Sequence, residues 1–157
     1  MKALAPRLVL AALATAFVLA APAAAKDGLS GKRILRAGLI GSQPDGPTLN
    51  GVTPGQVPWT DPEGRATARE DGRVRVRFEG LLIPTTGTTG PVTTVSASLF
   101  CGTSTMPVGT TTAVPLSAAG DAEIEARITP PPAGCDMPRI LINPNGNAAA
   151  YIATTSL

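Results

Sequence analysis

Residues 92–101, with the sequence VTTVSASLFC, contain the pattern that most restricts how this chain can fold. Val95, Ala97 and Leu99 alternate with polar residues there, which is the period-two pattern of a half-buried β-strand. Cys101 is the next residue in this every-second-residue series and is therefore expected to point inward. The segment predicts a core strand that carries the first of the two cysteines.

The N-terminus has the three parts of a secretory signal peptide. Lys2 and Arg7 supply a basic region, residues 8–21 are an apolar stretch, and residues 23–25 are three alanines that fit a cleavage site. We therefore expect residues 1–25 to be removed during export. The alternative is a membrane anchor, but a helix that spans a bilayer needs about 20 apolar residues and this stretch is shorter.

The remaining 132 residues are enough for one domain with a hydrophobic core and too few for two ordinary domains. We predict a single secreted domain over residues 26–157, with no later membrane span. Residues 26–64 are expected to be partly irregular because they are rich in proline and glycine. Eleven basic residues balance eleven acidic ones after residue 25, so the net charge gives no argument for nucleic acid or an anionic membrane as a partner.

The two cysteines, Cys101 and Cys135, lie 34 positions apart. In an exported protein, such a pair favours a disulfide over metal ligation or catalysis. Closing a loop of this length stabilises a fold by about 3–4 kcal/mol in the chain-entropy model. We expect this bridge to join the middle of the chain to its last third.

The clearest hairpin turns at residues 70–72, whose sequence is Glu-Asp-Gly. A two-residue Asp-Gly loop would place the alanines of the first strand on the side of the arginines. A three-residue loop, with Gly72 as the left-handed residue of a bulge, pairs Ala68 with Val74 and keeps the apolar residues together. We predict this second register, which places five arginines on one exposed face. They are Arg65, Arg69, Arg73, Arg75 and Arg77.

Two interpretations of this arginine face are open. Residues 121–128 form another alternating strand, and if that strand lies beside the arginines, opposite charges would form a ladder that fixes the register. The acids on its outward side are Asp121, Glu123 and Glu125. Otherwise, the face is a candidate binding surface for an anionic wall polymer or a surface glycan. Trp59 and Tyr151 could then stack on sugars, although a lone tryptophan in a proline-rich loop more often seals one end of a core.

The chain contains no histidine, which removes the commonest general base, the usual zinc ligand and the serine-histidine mechanisms. A disulfide would leave no thiol nucleophile. A serine-lysine mechanism would need Lys26 or Lys32, the two lysines after residue 25, and both lie close to the expected N-terminus of the mature chain. Ser30 and Lys32 are close in sequence and are the candidate pair. Two carboxylate pairs are the other candidates for hydrolysis. These pairs are Asp61 with Glu63 and Glu123 with Glu125.

Calcium is the one metal that oxygen-rich segments of this chain could hold. Residues 61–64 and residues 143–147 contain suitable carboxylates and amides, but neither has the spacing of a known calcium loop. Asn-Gly pairs also serve turns more often than ions. We therefore expect no metal and no cofactor.

Short strands separated by turn residues account for most of the chain after residue 64, and no segment after the signal peptide shows a helical period. Seven or eight strands are predicted. This pattern predicts an all-β fold, specifically an antiparallel β-sandwich of the immunoglobulin-like kind.

Several short motifs are shared with a group of small exported bacterial proteins. They are residues 51–59 (GVTPGQVPW), 80–84 (GLLIP), 98–101 (SLFC), 116–122 (LSAAGDA) and 143–146 (NPNG). On these motifs the chain resembles secreted proteins from high-GC Gram-positive bacteria, and its alanine-rich, lysine-poor composition agrees with such a source. The resemblance implies turns and core strands. It implies no activity, cofactor or catalytic residue.

The sequence therefore favours a secreted, non-enzymatic module with a structural or interaction role at or outside the cell surface. Its partner would be a cell-wall glycan or another surface protein. The first alternative is a module that binds carbohydrate or an anionic polymer through Trp59 and the arginine face. The second is a hydrolase that uses a carboxylate pair.

Overall fold

The computed structural model describes residues 31–156, so the predicted signal peptide, Lys26 and Ser30 lie outside the described part of the chain. Residues 31–156 form twelve strands and no helix, which confirms the predicted all-β class. The strands are β1 (Arg33–Ala37), β2 (Leu39–Gly41), β3 (Thr53–Pro54), β4 (Glu63–Arg69), β5 (Arg73–Glu79), β6 (Thr94–Phe100), β7 (Gly109–Thr110), β8 (Val114–Pro115), β9 (Ala122–Arg127), β10 (Arg139–Pro144), β11 (Ala150–Tyr151) and β12 (Ala153–Thr155). The number exceeds the predicted seven or eight because four of the strands are only two residues long.

The strands form two antiparallel sheets and one small parallel pair. The first sheet has the order β1-β4-β5-β9, and the second has the order β2-β12-β10-β6-β7, with β8 also paired to β6. The small pair joins β3 to β11 in parallel. The chain passes from the first sheet to the second at Gly38, since β1 belongs to the first sheet and β2 to the second.

One hydrophobic core lies between the two sheets. The alternating apolar residues of β4, β5 and β9 face those of β6, β10 and β12, and both sets belong to one buried cluster. The fully buried members include Val76, Phe78, Ile124, Leu99, Ile140 and Ile142. Trp59 adds a large ring to the same cluster although it lies outside the strands.

The central strands of the second sheet, β6 and β10, are buried on both faces, which the sequence pattern did not predict. Ser98 is 1% exposed and Phe100 is 2% exposed, so the expected half-buried strand is wrong for β6. The outer face is covered because Phe100 and Leu141 pack against Val52 and Tyr151 from distant segments. Burial of the serine is tolerated because its hydroxyl donates a hydrogen bond of 2.7 Å to Asn143 Oδ1.

The hairpin between β4 and β5 has the predicted register. Ala68 pairs with Val74, and the loop is residues 70–72. Gly72 has φ of +82°, and its N–H donates to the carbonyl of Arg69 at 3.0 Å. A Cβ at this position would also collide with the carbonyl oxygen of Ile128. Glycine is required here by its left-handed conformation and by this close approach.

Cys101 and Cys135 form the predicted disulfide, with their Cα atoms 5.1 Å apart. Cys101 lies one residue beyond β6 and is partly exposed, so the expectation that it points into the core is wrong. The bridge joins the loop after β6 to the loop before β10, next to the pairing of Phe100 with Arg139. It therefore holds two adjacent strands of the second sheet together at one end.

Replacing both cysteines by serine should lower the free energy of unfolding by about 3–4 kcal/mol, because the unfolded chain regains the conformational freedom of the loop. Urea unfolding followed by the fluorescence of Trp59, the only tryptophan, measures this change. Wild-type protein unfolded in a reducing agent is the control and should show the same loss. An unchanged unfolding midpoint in the double variant would contradict the expected role of the bridge.

Candidate functional site

The outward face of the first sheet carries eight arginines, distributed over its four strands. Five of them are the predicted ones on β4 and β5, and Arg127 lies on the outward side of the acidic strand as expected. The eight are Arg33 and Arg36 on β1, Arg65 and Arg69 on β4, Arg73, Arg75 and Arg77 on β5, and Arg127 on β9. Sequence reasoning missed Arg33 and Arg36 because the register of β1 shifts at an irregularity between Arg33 and Leu35, which breaks strict alternation.

The acidic strand β9 lies directly beside the basic strand β5. Arg75 is opposite Glu125, and Arg77 is opposite Glu123. Arg75 Nη2 approaches Glu125 Oε2 at 2.8 Å, so the predicted charge ladder forms at this position. The hydrogen bond to Glu125, followed by its negative charge, raises the pKa of Arg75 above its ordinary value. The pair is well exposed, so its main effect is to favour one register over another and not to add much stability.

The other arginines of β5 and β9 also have acidic partners. Arg73 and Arg127 both approach Asp71 Oδ2, at 3.4 Å and 3.8 Å. The side chain of Asp71 is only 15% exposed, so these two contacts are better shielded from solvent than the rest. Arg77 approaches Glu79 at 3.5 Å. All four arginines on this half of the face therefore have a carboxylate as a neighbour.

The arginines of β1 and β4 have no such partners among residues 31–156. Within residues 31–156, no carboxylate oxygen lies within 4.0 Å of any of the four. We call this set the β1–β4 strip: Arg33, Arg36, Arg65 and Arg69. The one hydrogen bond that a guanidinium of the strip makes within these residues joins Arg69 Nη1 to the carbonyl of Gly31 at 2.8 Å.

The strip has the donor chemistry of an anion-binding surface. A guanidinium offers a planar fork of N–H donors that matches phosphate, sulfate or carboxylate oxygens. Arg65 is also directly opposite Arg77, which places two positive groups side by side. Outward side chains on a strand recur every ~6.8 Å and neighbouring strands are ~4.8 Å apart, so the four positive groups form a compact array.

The two aromatic residues that the sequence suggested for sugar stacking are buried. Trp59 is 3% exposed and lies in the core between the sheets, which agrees with the interpretation that it seals the core. Tyr151 is 2% exposed and packs on the outer face of the second sheet, where its hydroxyl donates to the carbonyl of Pro47 at 2.8 Å. Neither ring offers a free face to a sugar, and neither joins the arginine face.

The carboxylate pairs do not converge in a cleft. Asp61 Oδ1 accepts a hydrogen bond of 2.9 Å from the backbone N–H of Gly41, and Glu63 lies opposite Glu79 on the exposed sheet face. Glu123 and Glu125 belong to the charge ladder. Asp61 therefore takes part in a backbone hydrogen bond, and Glu125 takes part in an ion pair.

Of the candidate calcium segments, residues 61–64 lead into β4, and residues 143–147 are the end of β10 and the turn after it. Asn145 Oδ1 accepts hydrogen bonds from the backbone N–H groups of Thr93 and Thr94, and Asn147 Oδ1 accepts one from Ala149. These oxygens are therefore occupied by the protein itself. Over residues 31–156, no group of three or more histidine, cysteine, aspartate or glutamate side chains is placed to hold a metal ion.

Comparisons of the chain with protein-family models, with curated proteins and with solved structures found no match. In the part of the chain that the structure describes, no helix has the length and apolar character needed to cross a membrane.

Burial raises the pKa of Tyr151 above its ordinary value of about 10. Because the folded-state pKa exceeds the unfolded one, the stability contributed by this group is complete below pH ~10 and is lost as the pH rises through the folded pKa. Tyr151 is the only tyrosine, so tyrosinate absorbance reports its titration directly. We expect ionisation to be displaced to higher pH in the folded protein and to coincide with a loss of stability.

The Tyr151→Phe variant is the control, because it should lose this alkaline dependence while costing about 1 kcal/mol at neutral pH for the missing hydrogen bond to Pro47. Titration of folded wild-type protein at the pKa of free tyrosine would show that the ring is not buried as described.

Proposed function

We propose that this protein is an exported, non-enzymatic β-sandwich that binds anionic polymers through the β1–β4 strip. The observation that carries the proposal is the division of the arginine face into two halves. Four arginines on β5 and β9 have carboxylate partners, whereas within residues 31–156 the four of the strip have none. The paired half stabilises the register of the sheet, and the unpaired half is available to a ligand.

The sandwich architecture is part of the proposal. Its support is that the inward residues of both sheets belong to one buried cluster. The division of the first strand between the sheets at Gly38 is an immunoglobulin-like feature. The strand order departs from that of an immunoglobulin domain, because β4 and β5 form a hairpin within one sheet, whereas the second and third strands of an immunoglobulin domain lie in different sheets.

Electrostatics favours a ligand that touches the strip directly. The chain after residue 25 is formally neutral, so any attraction comes from the local excess of arginines and not from the net charge. Exposed charges are screened over about 8 Å at physiological ionic strength. A ligand must therefore place its anionic groups on the guanidinium groups themselves, and binding should weaken as salt is added.

A polymer fits the strip better than a single small anion. Arg65 and Arg69 lie four residues apart on β4, which corresponds to about 13 Å along the strand. A small anion reaches one or two guanidinium groups, whereas a chain with a negative charge in each repeat reaches several at once and gains from multivalency. The resemblance to secreted proteins of high-GC Gram-positive bacteria supports an anionic cell-wall polymer as the natural ligand.

The non-enzymatic part of the proposal rests on how the acids are used. The carboxylate of Asp61 accepts a backbone hydrogen bond, and Glu125 is bound to Arg75. Hydrolysis by a carboxylate pair needs two acids facing each other across a substrate. The positions of these two acids favour a protein that binds a ligand and does not catalyse a reaction.

Substitution of three strip residues, Arg33→Gln, Arg36→Gln and Arg65→Gln, should weaken binding to heparin, a soluble polyanion, by at least about tenfold. The slope of log K against log salt concentration should also become less negative by about two, because fewer arginines contact the polyanion. Affinity chromatography on immobilised heparin and titration at several salt concentrations measure both effects. Uncharged dextran should not bind either protein.

A triple variant on the paired half, Arg75→Gln, Arg77→Gln and Arg127→Gln, is the matched control because it removes the same charge and leaves Asp71 with Arg73. We expect its affinity to fall less than about threefold. The glutamates that lose their arginine partners in this control would repel a polyanion and lower its affinity further. A larger loss in the strip variant would therefore have to exceed this effect as well. Equal losses in the two variants would show that the strip is not the site.

The exported state predicts a defined N-terminus. Expression of the full chain in a bacterium with an active secretion system should release a protein that begins at Lys26, as read by mass spectrometry of the culture medium. Replacing Ala23 and Ala25 by arginine should block this cleavage. Recovery of the uncut wild-type chain in the membrane fraction would overturn the assignment of a cleaved signal peptide.

A further inference from the structure

The start of β4 and the end of β5 carry two cross-strand pairs of like charge. Glu63 is directly opposite Glu79, and Arg65 is directly opposite Arg77. All four side chains are exposed, and they line one hollow of about 400 Å³. Like charges that face each other across a sheet are destabilising, so each pair costs stability unless an opposite charge lies beside its members.

A single ion pair neutralises half of this cluster, which we call the charge quartet: Glu63, Arg65, Arg77 and Glu79. Arg77 Nη2 approaches Glu79 Oε1 at 3.5 Å. Among residues 31–156, no lysine or arginine nitrogen lies within 4.0 Å of the carboxylate of Glu63, and no carboxylate oxygen lies within 4.0 Å of the Arg65 guanidinium. The quartet therefore presents one carboxylate and one guanidinium to which a ligand could bind.

The backbone sets the spacing of these two groups. Glu63 and Arg65 lie two residues apart on β4, so they share one side of the sheet and are about 6.8 Å apart along the strand. Gly64 lies between them, and a Cβ at this position would collide with the carbonyl oxygen of Arg77 on β5. This close contact between the strands fixes the backbone that carries both charges, so the site is formed before a ligand binds.

We propose, on the premise that the β1–β4 strip binds a polyanion, that this polymer also carries an ammonium group, and that Glu63 binds the ammonium group while Arg65 binds an anionic group beside it. The ammonium group would neutralise the opposed carboxylates of Glu63 and Glu79, and the anion would do the same for the opposed guanidinium groups. A polymer with negative charges alone would be repelled by Glu63.

A ligand of this class reverses the preference that the arginines of the strip would have by themselves. A surface that contains only arginines binds the most anionic polymer best, because each negative charge adds to the attraction. An ammonium group lowers the net negative charge of the polymer and would weaken binding to such a surface. With Glu63 in contact, the same ammonium group strengthens binding. The two possibilities therefore predict opposite effects of one added positive group.

Two derivatives of heparin make the comparison direct, because they have the same backbone, carboxylates and remaining sulfates. N-desulfated heparin carries free amines, whereas N-desulfated and then acetylated heparin carries uncharged amides at the same nitrogens. At about pH 6, an amine of this kind is protonated and the carboxylates are ionised. Isothermal titration calorimetry should show that the wild-type protein binds the amine form at least about twofold more tightly, which is the contribution of an exposed ion pair.

The Glu63→Gln variant should invert this preference, because it removes the carboxylate and leaves every arginine in place. Its affinity should fall at least about twofold for the amine form and rise up to about twofold for the acetylated form. Glu123→Gln is the matched control, since Glu123 is an exposed strand glutamate that also has no lysine or arginine nitrogen within 4.0 Å among residues 31–156. We expect the control to keep the wild-type preference. An unchanged urea midpoint verifies the fold of both.

Three results would overturn the role of Glu63 and leave the strip as the polyanion site: equal or tighter binding of the acetylated form by the wild-type protein, an unchanged preference in the Glu63→Gln variant, or the same inversion in the Glu123→Gln control. The last result would mean that any carboxylate on this face has the effect. A wild-type protein that binds neither derivative nor heparin itself would overturn the proposed function of the strip, and the ammonium site with it.

Discussion

The burial of the central part of the second sheet, strands β6 and β10, on both faces is the constraint on which the rest of this structure depends. Its inner face packs against the first sheet, and its outer face is covered where Phe100 and Leu141 meet Val52 and Tyr151. A sheet enclosed in this way can take only apolar residues or polar residues that are hydrogen-bonded internally, as Ser98 is. The outward residues of the first sheet, by contrast, are exposed or half-buried, and most of the arginines lie there.

The charge of that face is organised by strand neighbours. β9 brings glutamates beside β5, so the arginines of β5 are paired across the ladder. β1 is an edge strand with the sequence RILRA, which contains no acid, and β4 contributes only Glu63 at its far end. Arg36 and Arg65 therefore remain unpaired within residues 31–156. Local sequence composition and strand order together explain why, among the residues that the structure describes, one half of the face has acidic partners and the other does not.

The proline-rich segment before β4 covers the core instead of acting as a simple linker. Proline has no N–H to satisfy, which lowers the cost of burying an irregular segment. This segment places Trp59 in the core and Val52 over the second sheet. Residues 53–59 of this segment also line a mainly apolar pocket, together with parts of residues 83–92 and 144–152.

The sequence by itself determined the all-β class, the turn at Gly72 and the pairing of Cys101 with Cys135. These features depend on local alternation, on the conformational freedom of glycine and on the absence of any other thiol, so they can be read without knowing distant neighbours. The tertiary structure alone decided that Trp59 and Tyr151 are buried, that β6 has no exposed face and which arginines have acidic partners. Those properties depend on contacts between segments that are far apart in the chain, and a residue's own sequence context contains no information about what covers it.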